Sequence, residues 1–226
     1  MEVTQLIING TTKFSTMVAR LIEMEGEAKV IAFTTAKQFI NDKMLDGKQV
    51  VPLEELTDRF DNRKVRILNT IGYSKMNTVR ERVNLEIEQS GFTQYSYISK
   101  HAFVAEQPRL SSLLTAGCII MPNAFIGTEV KIGKSTVIYS NCSLTHDIVV
   151  EDNVFIGSGC VVGGNVIIGR NSFIGMNSTI KNRINLAPFS LVGCGSNVLK
   201  TIEQERRVIV GNPAKVLEGK DSMNSL

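Results

Sequence analysis

The chain has 226 residues, 43% apolar and 21% charged, enough for one large domain or two small ones and too apolar for a disordered tail. Lys plus Arg outnumber Asp plus Glu by 25 to 22, and a balance of +3 is too small to mark a nucleic-acid or anionic-membrane partner. Four cysteines without a CxxC pair exclude a disulfide framework and a zinc site, and no stretch reaches the roughly 18 apolar residues of a membrane helix. The first nine residues lack a basic residue ahead of their apolar run, so no signal peptide is expected. The expectation is a cytoplasmic protein with no metal, no nucleic acid and no membrane insertion.

In chain order, Gln5–Asn9 is a short apolar run, and residues 14–25 place Phe14, Met17, Val18, Leu21 and Ile22 at helical spacing. Residues 29–33 and 65–71 read as strands, 76–89 as a polar-faced helix closed by Gly91, and 92–98 as a last strand. Strands alternating with helices predict a small parallel α/β sheet of Rossmann type over residues 1–100, with 101–117 as a linker. The turn Asn9-Gly10-Thr11-Thr12 leaves the first strand and opens a helix, where backbone N–H groups and the helix dipole suit a phosphate. With one glycine it is a poor dinucleotide fingerprint.

From Cys118 to Thr201 the pattern changes. Ten of the 18 glycines fall here, and written in sixes one column reads Ile120, Ile126, Ile132, Ile138, Leu144, Val150, Ile156, Val162, Ile168, Ile174, Ile180, Leu186, Val192, Val198. Two places earlier every residue is small or β-branched, and glycine follows the aliphatic in seven rows. A period of six carried through fourteen rows predicts a parallel β-helix over 118–201, three sixes to a coil, followed by a tail over 202–226. The glycines are expected to supply permissive corners. Cys118, Cys142 and Cys160 take the small inward position as packing residues, and Cys194 falls at a corner.

Positions 18 apart stack about 4.8 Å from each other. His146, one of two histidines, sits two places after its inward aliphatic on an outward corner, in a column with Thr128, Gly164, Asn182 and Lys200. Beside it, Asp147 can orient the imidazole for general-base work. Two histidines cannot supply the three zinc ligands of a β-helix carbonic anhydrase.

The run from Asn141 through His146-Asp147 to Gly159, with the closing Gly211-Asn212-Pro213-Ala214-Lys215, resembles the bacterial sugar acyltransferases that include bacillosamine-pathway N-acetyltransferases and sialic acid O-acetyltransferases. The resemblance spans both halves and implies left-handed winding, a homotrimer with sites between subunits, acetyl-CoA as cosubstrate and a nucleotide-linked amino sugar as acceptor. It implies that His146 takes the acceptor's proton, Asp147 orients it, and Gly164 N–H faces the acyl oxygen. Coenzyme A would pass Asn182, with Lys200, Arg206, Arg207 and Lys215 near its phosphates. Asn9, Gly10, Thr11, Thr12, Thr34, Thr35, Tyr73, Asn77 and Arg80 would contact the nucleotide-sugar.

One departure stands out. The family's pattern has a second histidine nine residues after the first, where this chain has Phe155. Half a coil puts that position on the far side of its own prism, within reach of His146 only from another subunit. Phe155 and Phe173 then form an outward aromatic ladder, expected at a subunit interface. N-acetylation is the leading expectation from the resemblance; O-acetylation and a non-catalytic nucleotide-sugar-binding trimer are the alternatives.

Overall fold

The computed structural model describes residues 3–105 and 117–226, so most of the expected linker lies outside the described residues. The N-terminal half forms an α/β unit. Its strands are β1 (Gln5–Asn9), β2 (Lys29–Thr35), β3 (Met44–Leu45), β4 (Lys48–Pro52), β5 (Val65–Asn69) and β6 (Thr93–Gln94), in the order β3-β4-β2-β1-β5-β6. All adjacent pairs run parallel except β3 with β4. The helices are α1 (Lys13–Met24), the short α2 (Leu56–Arg59) and α3 (Thr78–Gln89). Leu6 and Ile8 pack in one core with Val18 and Ile22, while Ile7 packs in another with Val83 and Ile87, so successive residues of β1 serve opposite faces of the sheet. Strands β3 and β4 and helix α2 escaped the periodicity reading. Helix α3 begins two residues later than expected, because Lys75, Met76 and Asn77 all take positive φ.

The hexad segment is a three-faced prism of parallel ladders. Each of the fourteen rows contributes one two-residue strand ending on its aliphatic. The first face runs through Ile119–Ile120, Val137–Ile138, Phe155–Ile156, Phe173–Ile174 and Leu191–Val192. The second runs through Phe125–Ile126, Ser143–Leu144, Val161–Val162, Thr179–Ile180 and Asn197–Val198, and the third through Lys131–Ile132, Val149–Val150, Ile167–Ile168 and Asn185–Leu186. The inward aliphatics form one continuous core. The last expected strand of the N-terminal half is split: Thr93–Gln94 stays in the α/β sheet, whereas Tyr97–Ile98 joins the first face of the prism. Phe103–Val104 joins the second face, and Val208–Gly211 extends the first, so the coils reach beyond 118–201 at both ends.

The corners differ from expectation. The glycines after the aliphatics do not supply positive φ; a Cβ on Gly163 would lie 2.6 Å from the backbone nitrogen of Asn182, so they are needed for close approach of the next coil. The left-handed residue falls two places later, at Asn123, Glu129, Ser135, Asn141, Asp147, Asn153 and onward every sixth position, and asparagine tolerates that conformation best after glycine. The small inward residues also bond across coils: Cys142 Sγ donates to Gly157 O at 3.0 Å, Cys160 Sγ to Gly175 O at 3.1 Å and Ser178 Oγ to Gly193 O at 3.0 Å. These interior thiols and hydroxyls satisfy corner carbonyls as well as filling space.

The α/β unit sits on the first face. Phe155 is only 5% exposed, its ring 5.4 Å from Tyr139, 5.1 Å from Tyr73 and 5.6 Å from Phe173. Phe14 of α1 stacks on Tyr139 at 5.1 Å. The aromatic ladder expected between subunits is therefore covered by this chain's own N-terminal unit. Burial in this cluster pushes the Tyr139 phenol up to about 12.

Candidate active site

The residues of the proposed column are stacked by the corner turns. Three left-handed residues of this corner donate their N–H to the coil before: Asp147 N to Thr128 O at 3.0 Å, Asn165 N to His146 O at 3.2 Å and Arg183 N to Gly164 O at 2.9 Å. His146 stands on the corner between the second and third faces, its side chain 55% exposed. Its Nδ1 lies 2.8 Å from Asp147 Oδ2. With Nδ1–H donated to that carboxylate, Nε2 keeps its lone pair for a substrate proton. The imidazole lies against Gly164, where an added Cβ would come 2.5 Å from Nε2 and 2.8 Å from Nδ1. Asp147 itself carries φ of 51°, so the six-residue turn geometry holds the carboxylate beside the ring.

Further along the prism, Asn182 and Lys200 are exposed on the same corner. The other expected coenzyme contacts do not join them. Arg206 N donates to Pro188 O, which puts it at the corner between the third and first faces, and its guanidinium is held by Asp221 at 2.6 Å. Arg207 bonds Gln204, and Lys215 lies on a hairpin that extends the first face. Of the four basic residues, Lys200 is the one that continues the line from His146 through Asn182.

At the C-terminal edge of the α/β sheet, the structure brings together the expected phosphate turn and the end of β2. Asn9 pairs with Thr34 in register, and Gly10 N donates to Thr34 O at 2.8 Å. Gly10 has φ of +125°, and a Cβ there would meet Ser15 Oγ and Thr70 Oγ1 at 2.6 Å, so the turn requires glycine. Thr12 caps α1 in a capping box with Ser15. Asn9 Oδ1 and Thr34 Oγ1 are buried without a hydrogen-bond partner. Since β1 lies between β2 and β5, this edge is the point where the chain switches direction across the sheet, the usual crevice for a ligand in open α/β sheets. Thr11 and Thr35 are half-buried at the same edge.

Two expected nucleotide contacts are not available to a ligand. Arg80 is fully buried at the domain junction, donating to Ser135 O at 3.1 Å, Asn153 O at 2.8 Å, Gly72 O at 2.8 Å and Asn77 Oδ1 at 3.0 Å. Burial pulls its pKa down to about 9, which leaves it charged at neutral pH. Asn77, equally buried, donates through Nδ2 to Asn171 O and Ser172 O. Both clamp the α/β unit to the prism; a motif ending in arginine gave no sign that its side chain would point inward. Tyr73 stays 44% exposed, resting on Phe155 and Phe173.

Among the described residues, no group of three His, Cys, Asp or Glu side chains is placed to hold a metal ion, and no helix is long and apolar enough to cross a membrane.

Residues 147–182 match the family described as bacterial transferase hexapeptide (six repeats). No curated protein matches the chain. Among solved structures, a perosamine N-acetyltransferase from Caulobacter crescentus, in complex with CoA and GDP-perosamine, is 19% identical with a TM-score of 0.83, covering 96% of this chain and 98% of that one. The acetyltransferase domain of PglB from Neisseria gonorrhoeae, in complex with acetyl coenzyme A, is 19% identical with a TM-score of 0.83, covering 96% and 100%. WeeI from Acinetobacter baumannii is 21% identical with a TM-score of 0.82, covering 95% and 100%. The repeats and parallel ladders fit a left-handed β-helix, and over 96% of its length this chain shares the fold of those structures.

Proposed function

We propose that the protein is an acetyl-CoA-dependent N-acetyltransferase acting on a nucleotide-linked amino sugar, working in the cytoplasm. The observation that carries this reading is the corner His146, bonded to Asp147 through Nδ1 and backed by Gly164, on a fold shared with enzymes solved with CoA and GDP-perosamine. The sugar amine attacks the thioester carbonyl while Nε2 of His146 takes its proton; the C–S bond then breaks, and the proton passes to the departing coenzyme A sulfur. Asp147 holds the ring's tautomer, and Gly164 N–H, which has no other acceptor among the described residues, receives the developing oxyanion. The pantetheine arm runs past Asn182 toward Lys200. The α/β unit is read as a Rossmann-like domain that holds the diphosphate at Gly10–Thr12.

The acceptor is delivered to another copy of the chain. The α/β unit covers the first face, whereas His146 stands on the opposite corner, so a sugar held at the sheet edge faces away from its own subunit's base. A homotrimer with shared sites resolves this. The second face, adjoining the His146 corner, offers a contact: Phe103 and Phe125 stack at 5.2 Å and are both exposed, in one ladder with Val161.

The test is release of free coenzyme A from acetyl-CoA with a panel of nucleotide amino sugars, for wild type and His146→Ala. Turnover that disappears in the variant supports the assignment; equal rates, or no turnover with any acceptor, overturn it. An ester product in place of an amide marks O-acetylation.

A further inference from the structure

Between the β1–α1 turn and the segment after β2 lies an open pocket of ≈ 80 Å³, lined by Thr11, Phe39, Ile40, Asn41, Asp42 and Leu45 among others. Resting on the nucleotide-sugar reading above, we infer that this pocket takes the nucleobase and that Asn41 and Asp42 make that base guanine.

Three features support the assignment. The pocket begins at Thr11, in the turn suited to phosphate, so a base seated in it is one ribose away from a diphosphate at the start of α1. Its rim carries Phe39, 59% exposed, a large apolar ring left in water unless a planar partner covers it, and aromatic side chains are the general platform for bases. Ile40 and Leu45 provide a floor that packs on the sheet core.

The polar groups then choose the base. Asp42 is exposed, with no ion-pair partner among the described residues, and a carboxylate only accepts hydrogen bonds. Guanine alone among the common bases presents two adjacent donors, N1–H and N2–H₂, which match the two carboxylate oxygens. Uracil and thymine flank their single N3–H with carbonyl oxygens that repel a carboxylate, and adenine sets the N1 lone pair against it. The neighbouring Asn41 amide can donate to guanine O6, completing the edge.

Calorimetric titration of the full chain with GDP, UDP, dTDP and ADP tests this. GDP is expected to bind about tenfold or more tightly than the others. Asp42→Asn is expected to weaken GDP about tenfold while leaving UDP unchanged or improved, and Phe39→Ala to weaken every nucleotide alike. UDP or dTDP binding as tightly as GDP, or an unchanged GDP-to-UDP ratio in Asp42→Asn, overturns the guanine assignment and leaves the nucleotide-sugar reading standing. If none of the four nucleotides binds, the underlying reading fails instead.

Discussion

The imidazole of His146 rests on Gly164, one coil along the same corner, so closely that a single methyl group at position 164 would overlap Cε1, Nε2 and Nδ1 together. This contact explains why the column that carries His146 must continue with a residue lacking a side chain. In the mechanism proposed above, the Gly164 N–H and this ring address one reacting carbonyl.

Gly164→Ala should therefore keep the prism but push the ring off its position beside Asp147. Φ at this position is not in the left-handed region, so the substitution is costly for space and not for backbone conformation. A displacement of about 1 Å is expected to lower kcat about 100-fold with acetyl-CoA affinity less affected. Steady-state kinetics together with an unchanged circular dichroism spectrum check this.

Arg80→Met should loosen the junction of the two units. It removes the donor for Ser135 O, Asn153 O and Gly72 O inside a fully buried site, leaving carbonyls unpaired. The expected loss is about 3 kcal/mol or more in urea denaturation. Arg80→Lys should not restore it, because a point ammonium cannot reach acceptors on three separate turns.

Glu25 ties the end of α1 to the first coil, accepting from Ser99 Oγ at 2.7 Å, Lys100 N at 2.8 Å and Tyr97 Oη at 2.9 Å. Burial raises its pKa, but these hydrogen bonds together outweigh burial and hold it below the ordinary 4.5. A carboxyl with a depressed folded pKa stabilises above its unfolded value and loses that contribution as pH falls through the folded one. Glu25→Gln should thus melt lower than wild type at pH 7, and the gap should shrink below 4.5. Thermal melts at several pH values check the sign.

Phe125→Asp should dissociate the proposed trimer without unfolding the chain. Phe125 is 41% exposed and stacked on Phe103, outside the prism core. Sedimentation velocity is expected to give a monomer that keeps its secondary structure and loses acetyl transfer, since the acceptor then meets no His146.

How much was legible follows from what each signal reports. A strict six-residue period placed the fourteen strands of the hexad rows, though not the strands that extend the prism at either end, because in a coil closed by three equal sides the next neighbour is always 18 residues away. The same arithmetic put His146, Gly164, Asn182 and Lys200 on one corner. The glycine column was visible, yet its cause was misread as backbone freedom, when the left-handed residues are Asp147 and the asparagines two places on. Strand β3 was missed since two residues carry no period, and β4 since only Val50 and Val51 interrupt its polar start and closing proline.

What the sequence by itself determined is the prism and its outward histidine, since both are consequences of local repeat length. What only the tertiary structure decided is what faces what. Phe155 and Phe173, apolar and outward, were destined for an interface, but a repeat cannot tell whether the covering surface comes from the same chain or another. The packing of α1 and the Arg80 clamp settle it within the chain, covering the first face and leaving His146 open on the corner opposite. Arg80 and Asn77 likewise passed as ligand contacts because charge and polarity are visible in a sequence, whereas burial depends on residues 55 to 95 positions away that only folding brings into reach.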